Sequence, residues 1–375
     1  MTKVSIITMH NYPNYGSILQ AFATQEKFRE FTDDVEIIDY SGGRGIMSQN
    51  LLDYMLKGHS ADYSGMRLNP LKDAIKLPLR LRRRSVYNSF ARKYLNLTED
   101  KYARSEDLAR FPLHDGIYIT GSDQVWNPFF IENMPFFLDF VPAGKRKVGY
   151  AVSFGNKVED SLNSVEIDRI KKYIEQYEYI SVREERGLKF LHEQLGYQDA
   201  IQLVDPTLAM PPGFWRRYAS KPSIKYEYIL LYKLGKEKSF ESLAKGIAER
   251  TRLPLVRFCS QSFAQLAYGG RKRLFLPPVH DFISLIDNAK YVITDSFHGT
   301  ALAMSLNTAP IVYREEYDGE RISGLLRLIG HEDRYVKDCN DFSIADSPVD
   351  FLRVNETLGR ERNRVDEFLS GIFNN

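Results

Sequence analysis

The chain has 375 residues, of which 43% are hydrophobic and 27% charged, so it has the composition of a folded protein and exceeds the length that one core usually organises. Its formal net charge of +2 is too small to indicate nucleic-acid binding by the whole molecule. The two cysteines, Cys259 and Cys339, have no cysteine or histidine neighbours at metal spacing, which argues against a disulfide framework and a zinc site. Without a signal-peptide pattern or an apolar run of roughly 20 residues, the sequence predicts a cytoplasmic protein.

Short β-branched runs alternate with helical segments twice along the chain, which is the pattern of parallel sheets covered by helices. The predicted strands of the first series are Val4–Thr8, Val35–Asp39, Gly116–Thr120, Lys147–Ser153 and Tyr179–Val182, and those of the second are Tyr228–Tyr232, Leu255–Phe258, Tyr291–Thr294 and Pro310–Tyr313. We therefore predict an α/β protein of two Rossmann-like, doubly wound domains.

Three prolines between Val204 and Gly213 interrupt any regular element and mark the predicted domain boundary. We expect a first domain over residues 1–205 and a second over 206–347. The helical stretch 348–375 is expected to pack back on the first domain. A cleft between the domains would then bring Arg183 and His298 to face each other.

A basic insertion interrupts the first domain over residues 41–100. Between Ala74 and Thr98 it contains no acidic residue and seven basic ones: Lys76, Arg80, Arg82, Arg83, Arg84, Arg92 and Lys93. Such a run is typical of a solvated helix face, and it would equally suit anionic lipid headgroups or a pyrophosphate-linked ligand. The sequence leaves both interpretations open, so peripheral association with the inner face of the membrane is one possibility.

The most informative motif follows the predicted strand Tyr291–Thr294. Ligands of open α/β sheets bind beyond the carboxyl ends of the strands, and here His298 and Gly299 are expected in a turn before a helix that begins near Thr300. Ser296 or Thr300 can cap that helix, its N-terminus can hold an anion, and Gly299 would allow close approach of a ligand. His298 could transfer a proton there, or it could simply bind a local carbonyl.

Polar residues also follow the strands of the first series. Arg183 comes directly after a strand and can hold a carboxylate or phosphate with two hydrogen bonds, unless it pairs with Glu184 or Glu185. The stretches Asn11–Ser17, Gly121–Asn127 and Ala151–Gly155 combine aromatic rings with polar groups, which suits a sugar. Trp126, within the second stretch, could instead be a core residue.

Taken in order, the motifs resemble those of the polysaccharide pyruvyltransferase family. They are Asn14-Tyr15-Gly16, Gly121-Ser-Asp-Gln-Val-Trp-Asn127, Ser153-Phe-Gly155, Ser181-Val-Arg-Glu184, Val204-Asp-Pro-Thr207 and Asp295-Ser-Phe-His-Gly299. The resemblance implies a glycosyltransferase-B-like fold, phosphoenolpyruvate as donor, and a saccharide acceptor, often lipid-linked, in surface-polysaccharide or exopolysaccharide biosynthesis. It also implies that His298 is catalytic and that Arg183 and Arg321 lie at the donor.

We therefore expect three sets of site residues, with no cofactor and no metal. The catalytic residues are His298 and Arg183. The donor set is Arg183, Arg321, Ser296, Gly299 and Thr300, and the acceptor set is Asn14, Tyr15, Asp123, Gln124, Trp126, Asn127 and Ser153. Some family members carry a glycine run where this chain has Gly121-Ser-Asp-Gln124, so acceptor contacts cannot be transferred from them. A glycosyltransferase using a nucleotide sugar and a non-catalytic saccharide-binding protein are the alternatives.

Overall fold

The computed structural model describes residues 2–42, 70–128, 134–155, 158–235, 238–260, 263–314 and 320–374. Residues 43–69 of the predicted basic insertion lie outside this part of the chain. The chain forms two compact units: Met1–Pro206 with Val365–Asn375, called the first unit, and Thr207–Arg364, called the second unit. Within the described ranges, the structure has no helix long and apolar enough to span a bilayer.

The first unit contains a seven-stranded parallel sheet in the order β3-β2-β1-β4-β5-β6-β7. Its strands are β1 Val4–Ile7, β2 Val35–Tyr40, β3 Leu97–Tyr102, β4 Ile117–Thr120, β5 Arg146–Val152, β6 Tyr179–Val182 and β7 Ile201–Gln202. Its helices are α1 Tyr15–Arg29, α2 Pro70–Tyr94, α3 Val158–Ser161, α4 Ser164–Ile174 and α5 Glu185–Glu193, with 3-10 turns at Ser105–Arg110 and Met134–Phe137. The central strands β1 and β4 are buried at every residue and mostly apolar, as expected of strands covered by helices on both faces.

The second unit contains a six-stranded parallel sheet in the order β10-β9-β8-β11-β12-β13. Its strands are β8 Ile229–Tyr232, β9 Leu255–Cys259, β10 Lys272–Phe275, β11 Tyr291–Thr294, β12 Ala309–Tyr313 and β13 Tyr335–Val336. Its helices are α6 Pro206–Ala209, which begins at the last residue of the first unit, α7 Pro212–Tyr218, α8 Ser239–Thr251, α9 Val279–Asp287, α10 Phe297–Ser305 and α11 Arg321–Leu328. Short 3-10 turns lie at Phe263–Ala267, Glu332–Arg334 and Ser343–Asp346.

Two parallel sheets flanked by helices confirm the predicted fold class. Both sheets reverse their strand order at one point, between β1 and β4 in the first unit and between β8 and β11 in the second. In sheets of this kind the loops at the reversal leave a crevice beyond the carboxyl ends of the strands. These two crevices are therefore where ligand-binding residues are expected.

The last helix, α12 Phe351–Asn374, passes from the second unit to the first. Its final turns pack on the first unit, where Phe373 stacks on Phe31 with ring centroids 5.3 Å apart and Arg146 donates to the Ile372 carbonyl at 2.7 Å. Lys27 pairs with Asp366 at 2.5 Å. The end of the chain is thus held to the first sheet by both apolar and polar contacts.

Candidate functional site

The turn after β11 is set by a helix cap. The Ser296 hydroxyl accepts from the Gly299 amide at 3.2 Å, and the Ser296 backbone is extended, so α10 begins at Phe297. The helix therefore begins three residues before the predicted start near Thr300, and Ser296 is the cap. His298 is the second residue of the helix rather than a residue of the turn.

His298 lies at the reversal point of the second sheet. Its side chain is almost fully buried, with the residue 7% exposed, and its ring packs edge-on against Phe297 at a centroid distance of 5.2 Å. Asp295 fixes the preceding turn, because its carboxylate accepts from the backbone amides of Leu234 and Gly235, just beyond β8, at 2.7 and 2.6 Å. The imidazole is thus placed beside a helix N-terminus in the crevice expected to bind ligand.

Basic residues lie on the segments next to this turn. Arg321, the first residue of α11, lies 5.4 Å from the Phe297 ring centroid, and Arg314, just after β12, donates to the Asp295 carbonyl at 3.4 Å. Lys233, directly after β8, is buried with its Nζ 5.3 Å from the Phe240 ring. Sequence reasoning identified Arg321 and missed Arg314 and Lys233. Both missed residues could have been found from the sequence, because each one immediately follows a predicted strand.

Gly299 and Thr300 have internal roles. A Cβ on Gly299 would lie 2.8 Å from Thr294 Oγ1 and 3.0 Å from the Tyr232 ring, so the groups that approach this glycine closely belong to the chain itself. The Thr300 hydroxyl is fully buried and donates to the Ser296 carbonyl at 3.0 Å. These contacts within the chain account for both residue types. The approach of a ligand to Gly299 stays a prediction.

A pair of glycine substitutions can test this packing. We expect Gly299→Ala to destabilise the second unit by about 1–3 kcal/mol, because the new methyl group overlaps Thr294 and Tyr232. Gly324→Ala, in α11 with nothing within 4 Å of its Cβ position, should stabilise the unit or leave it unchanged. Urea unfolding followed by Trp215 fluorescence in a Trp126→Phe background reports on this unit, and equal midpoints for the two variants would contradict the packing argument.

Arg183 is the centre of a buried ionic cluster in the first unit. Its side chain is 1% exposed, and its guanidinium reaches Asp205 at 2.6 Å, Glu184 at 2.9 Å and Asp123 at 3.5 Å. Burial alone lowers the pKa of an arginine, but the attraction of Glu184, Asp205 and Asp123 outweighs it and raises the pKa of Arg183. The residue therefore keeps its positive charge inside the core of the unit.

This cluster does not resemble an anion site. A phosphate or carboxylate brought to Arg183 would also meet three carboxylates within 3.5 Å of the same guanidinium. Like charges at such distances repel strongly in a buried environment. The geometry thus gives no support to the expected role of Arg183 in holding the donor, and it favours a role in fixing the strand ends that carry its partners.

The cluster extends to further polar residues predicted for the acceptor. Asp123, in a left-handed conformation with φ of 75°, accepts from the Ser17 hydroxyl at 2.7 Å. Ser153 donates to Glu184 at 2.8 Å and accepts from the Gly155 amide at 3.1 Å. Asp123, Ser153 and Arg183, predicted separately from three strand ends, are brought into one network of hydrogen bonds and ion pairs.

The other predicted acceptor residues differ in how far their side chains are buried. Gln124 and Asn127 are half-buried, and Asn127 donates to the Gln124 side chain at 2.8 Å. Asn14 caps α1 by accepting from the Gly16 amide at 2.8 Å. Tyr15 is fully buried and packs edge-on against Tyr87 at 5.2 Å.

Trp126 is a core residue, as the alternative interpretation proposed. It is 1% exposed and surrounded by Phe137, Phe154 and Tyr177 at centroid distances of 5.3, 5.2 and 5.5 Å. Its indole N–H donates to the Phe136 carbonyl at 2.9 Å. A ring enclosed in this way offers no face to a sugar.

Sequence reasoning also missed a buried polar group at the ends of β1 and β2. His10 is fully buried with Nε2 3.2 Å from Asp39, and Asn11 donates to the same carboxylate oxygen at 3.1 Å. Burial raises the pKa of Asp39, but the hydrogen bonds from His10 and Asn11 and the His10 charge outweigh it, so its pKa is lowered. His10 directly precedes the polar stretch identified in the sequence, which was the signal available.

Comparison with known proteins supplies a family and a fold. The family model described as polysaccharide pyruvyl transferase matches residues 14–317, which is most of the chain. S. aureus MnaA, determined with UDP, is 12% identical with a TM-score of 0.54, and the match covers 100% of this chain and 97% of that one. A Listeria monocytogenes protein described as a candidate UDP-N-acetylglucosamine 2-epimerase is 13% identical with a TM-score of 0.53 and the same coverage. No curated protein matches in sequence. At these identities the two structures show the fold alone, which is glycosyltransferase-B-like.

Proposed function

The chain belongs to the polysaccharide pyruvyl transferase family, and from this premise we propose that it transfers pyruvate from phosphoenolpyruvate to a saccharide as a ketal. The observation that carries the proposal is the site around His298. A proton-transfer group stands beside a helix N-terminus, at the reversal point of a Rossmann-like sheet. One guanidinium group donates to the preceding turn and another lies near the ring of Phe297. The product would enter surface-polysaccharide or exopolysaccharide biosynthesis.

The reaction needs an acid and a means of holding anions. A proton is added to the methylene carbon of the enol phosphate, and a sugar hydroxyl attacks the adjacent carbon. The bond from that carbon to the phosphate oxygen breaks, phosphate leaves with the bonding electrons, and a second hydroxyl closes the ketal. Of the two protons released by the hydroxyls, one replaces the proton given to carbon and the other leaves on phosphate.

His298 is the residue of the second unit suited to the proton transfer, since imidazole can donate and accept a proton near neutral pH. Arg321 and the N-terminus of α10 suit the anionic groups of the donor. For the acceptor we propose the first unit, where the amides of Gln124 and Asn127 lie beside the network of Asp123 and Ser153. In this scheme Arg183 positions that network rather than the donor.

A direct assay tests the proposed reaction. The protein is incubated with phosphoenolpyruvate and a panel of saccharides, lipid-linked ones included, while released phosphate and the mass of the saccharide are measured. We expect phosphate release that depends on the saccharide, together with a pyruvylated product. Consumption of a nucleotide sugar without use of phosphoenolpyruvate would instead identify a glycosyltransferase.

The exposed face of α2 supports a proposal about where the enzyme works. Arg82, Arg92 and Lys93 are exposed on this helix together with Leu81, which is 37% exposed. The side chain of Lys76 lies outside the described residues. An exposed basic face with an apolar residue suits the anionic headgroups of a membrane surface, where each basic residue contributes about 1 kcal/mol. We propose that this face brings the enzyme to lipid-linked acceptors at the inner side of the cell membrane.

Charge neutralisation tests the membrane proposal. Replacing Arg82, Arg92 and Lys93 by Gln should weaken binding to vesicles containing anionic lipid by about 10-fold or more, and added salt should weaken wild-type binding in the same direction. The matched control replaces Arg169, Lys171 and Lys172 of α4, in the same unit, by Gln, and should bind nearly as wild type. Equal binding by all three proteins in a vesicle sedimentation assay would leave α2 as an ordinary solvated helix.

A further inference from the structure

Arg314 is a half-buried cation to which no role has been assigned so far. It directly follows β12, whose residue Val312 pairs with Thr294 of β11, so Arg314 stands at the level of Ser296 in the neighbouring loop. Its Nη1 donates to the Asp295 carbonyl at 3.4 Å, and its Nε is shielded from solvent. Within the described part of the chain, that Nε has no hydrogen-bond partner and the guanidinium forms no ion pair.

The carboxylate of Asp295, which belongs to this turn, forms no ion pair with Arg314. Asp295 contacts Arg314 through its main-chain oxygen, while both of its carboxylate oxygens accept from the amides of Leu234 and Gly235. A partly buried guanidinium without a counter-ion loses hydration and gains no Coulomb attraction in return. Its position is therefore explained better by an anion that binds there than by the stability of the unit.

A second guanidinium group lies near the same segment. Arg321 lies 5.4 Å from the Phe297 ring, so the two arginines contact residues at either end of the three-residue segment that leads into His298. The arginine of the first unit differs from Arg314 in its surroundings, because Arg183 forms ion pairs with three carboxylates. In the second unit, by contrast, Arg314 lies one loop from the imidazole and has no ion pair among the described residues.

We infer that Arg314 is a further donor-binding residue, which holds the phosphate group of phosphoenolpyruvate beside the N-terminus of α10. The inference rests on the proposed function and names the subsite within it. A phosphate has several acceptor oxygens, so it can accept from the Arg314 fork and from backbone amides of a helix N-terminus together. When the carbon–oxygen bond breaks, negative charge grows on the departing phosphate, and Arg314 stabilises that charge.

Equilibrium binding tests this subsite without requiring turnover. Calorimetry measures the affinity of phosphoenolpyruvate, inorganic phosphate and pyruvate for the wild type, Arg314→Gln and Arg314→Lys. We expect Arg314→Gln to weaken binding of phosphoenolpyruvate and of phosphate by about 10-fold or more, and Arg314→Lys to weaken both less, since it keeps the charge. The affinity for pyruvate, which lacks the phosphate, should stay within about twofold.

Arg327→Gln serves as the matched control, because Arg327 is an exposed arginine of α11, with its Nε 3.8 Å from a Glu332 carboxylate oxygen. It should bind all three ligands as the wild type does, and thermal melts should show that every variant is folded. Unchanged phosphate affinity in folded Arg314→Gln, or a wild type that binds no phosphate at all, overturns the inference. A third outcome is that the wild type binds phosphate through Arg314 but does not bind phosphoenolpyruvate. That result would support an anion subsite at Arg314 and would overturn the proposed donor.

Discussion

His298→Ala is expected to lower the turnover of pyruvate transfer by about 10²-fold or more, while the protein binds phosphoenolpyruvate nearly as tightly as the wild type. Turnover and donor affinity are expected to respond differently because of what the imidazole does in the proposed reaction. It carries the proton to the methylene carbon, whereas the donor's charge is held by Arg321, Arg314 and the N-terminus of α10. Saturation kinetics for phosphate release and calorimetric donor binding measure the two quantities separately.

Two further variants make this result specific to the site. His298→Gln keeps the size and a hydrogen-bonding amide but cannot carry the proton, so it should be as slow as His298→Ala. His331→Gln, in the turn after α11, should retain wild-type turnover. Because His298 is almost fully buried, its variants must first show wild-type unfolding midpoints. Full turnover by folded His298→Ala would refute the proposed role.

The fold was largely predictable because the central strands are buried on both faces. Runs such as Val4–Ile7 and Tyr291–Thr294 are short, mostly apolar and rich in β-branched residues. Helical segments separate them, and this alternation predicts parallel sheets. The strands that sequence reasoning missed lie toward the sheet edges. Leu97–Tyr102 reads as a polar segment of the predicted insertion, and Tyr335–Val336 has only two residues, so neither carries an apolar run.

For the candidate site, the positions of its residues at strand ends were predictable, whereas their contacts were less so. His298 could be placed at a strand end because local sequence determines both β11 and the Ser296 cap. Arg183 could not be interpreted in this way, because two of its partners, Asp123 and Asp205, are distant in sequence and meet it only when β4, β6 and the segment after β7 assemble. Trp126 was likewise ambiguous, since a tryptophan among polar residues suits a sugar site and a core equally.

Arg183→Met is expected to destabilise the first unit by about 3–5 kcal/mol, because it leaves Asp123, Glu184 and Asp205 buried without their cation. Arg183→Lys should destabilise the unit less, because the ammonium group keeps the positive charge. Some loss of stability is still expected, because an ammonium group cannot reproduce the planar fork that meets three carboxylates. The chain has two tryptophans, Trp126 in the first unit and Trp215 in the second. Urea unfolding of these variants in a Trp215→Phe background therefore follows the first unit alone.

The size of this loss separates a positioning residue from one that holds the donor. Lys189→Gln, which removes an exposed ion pair with Glu185 on α5, is the matched control and should cost no more than about 0.5 kcal/mol. Adding Asp205→Asn to Arg183→Met should restore part of the stability, because one buried charge fewer is then left uncompensated. Should Arg183→Met instead remain as stable as the Lys189 control and bind phosphoenolpyruvate at least 10-fold more weakly, Arg183 would hold the donor after all. A loss of stability with donor affinity preserved in the remaining folded protein would assign Arg183 to the ionic cluster that positions the ends of β4 and β6.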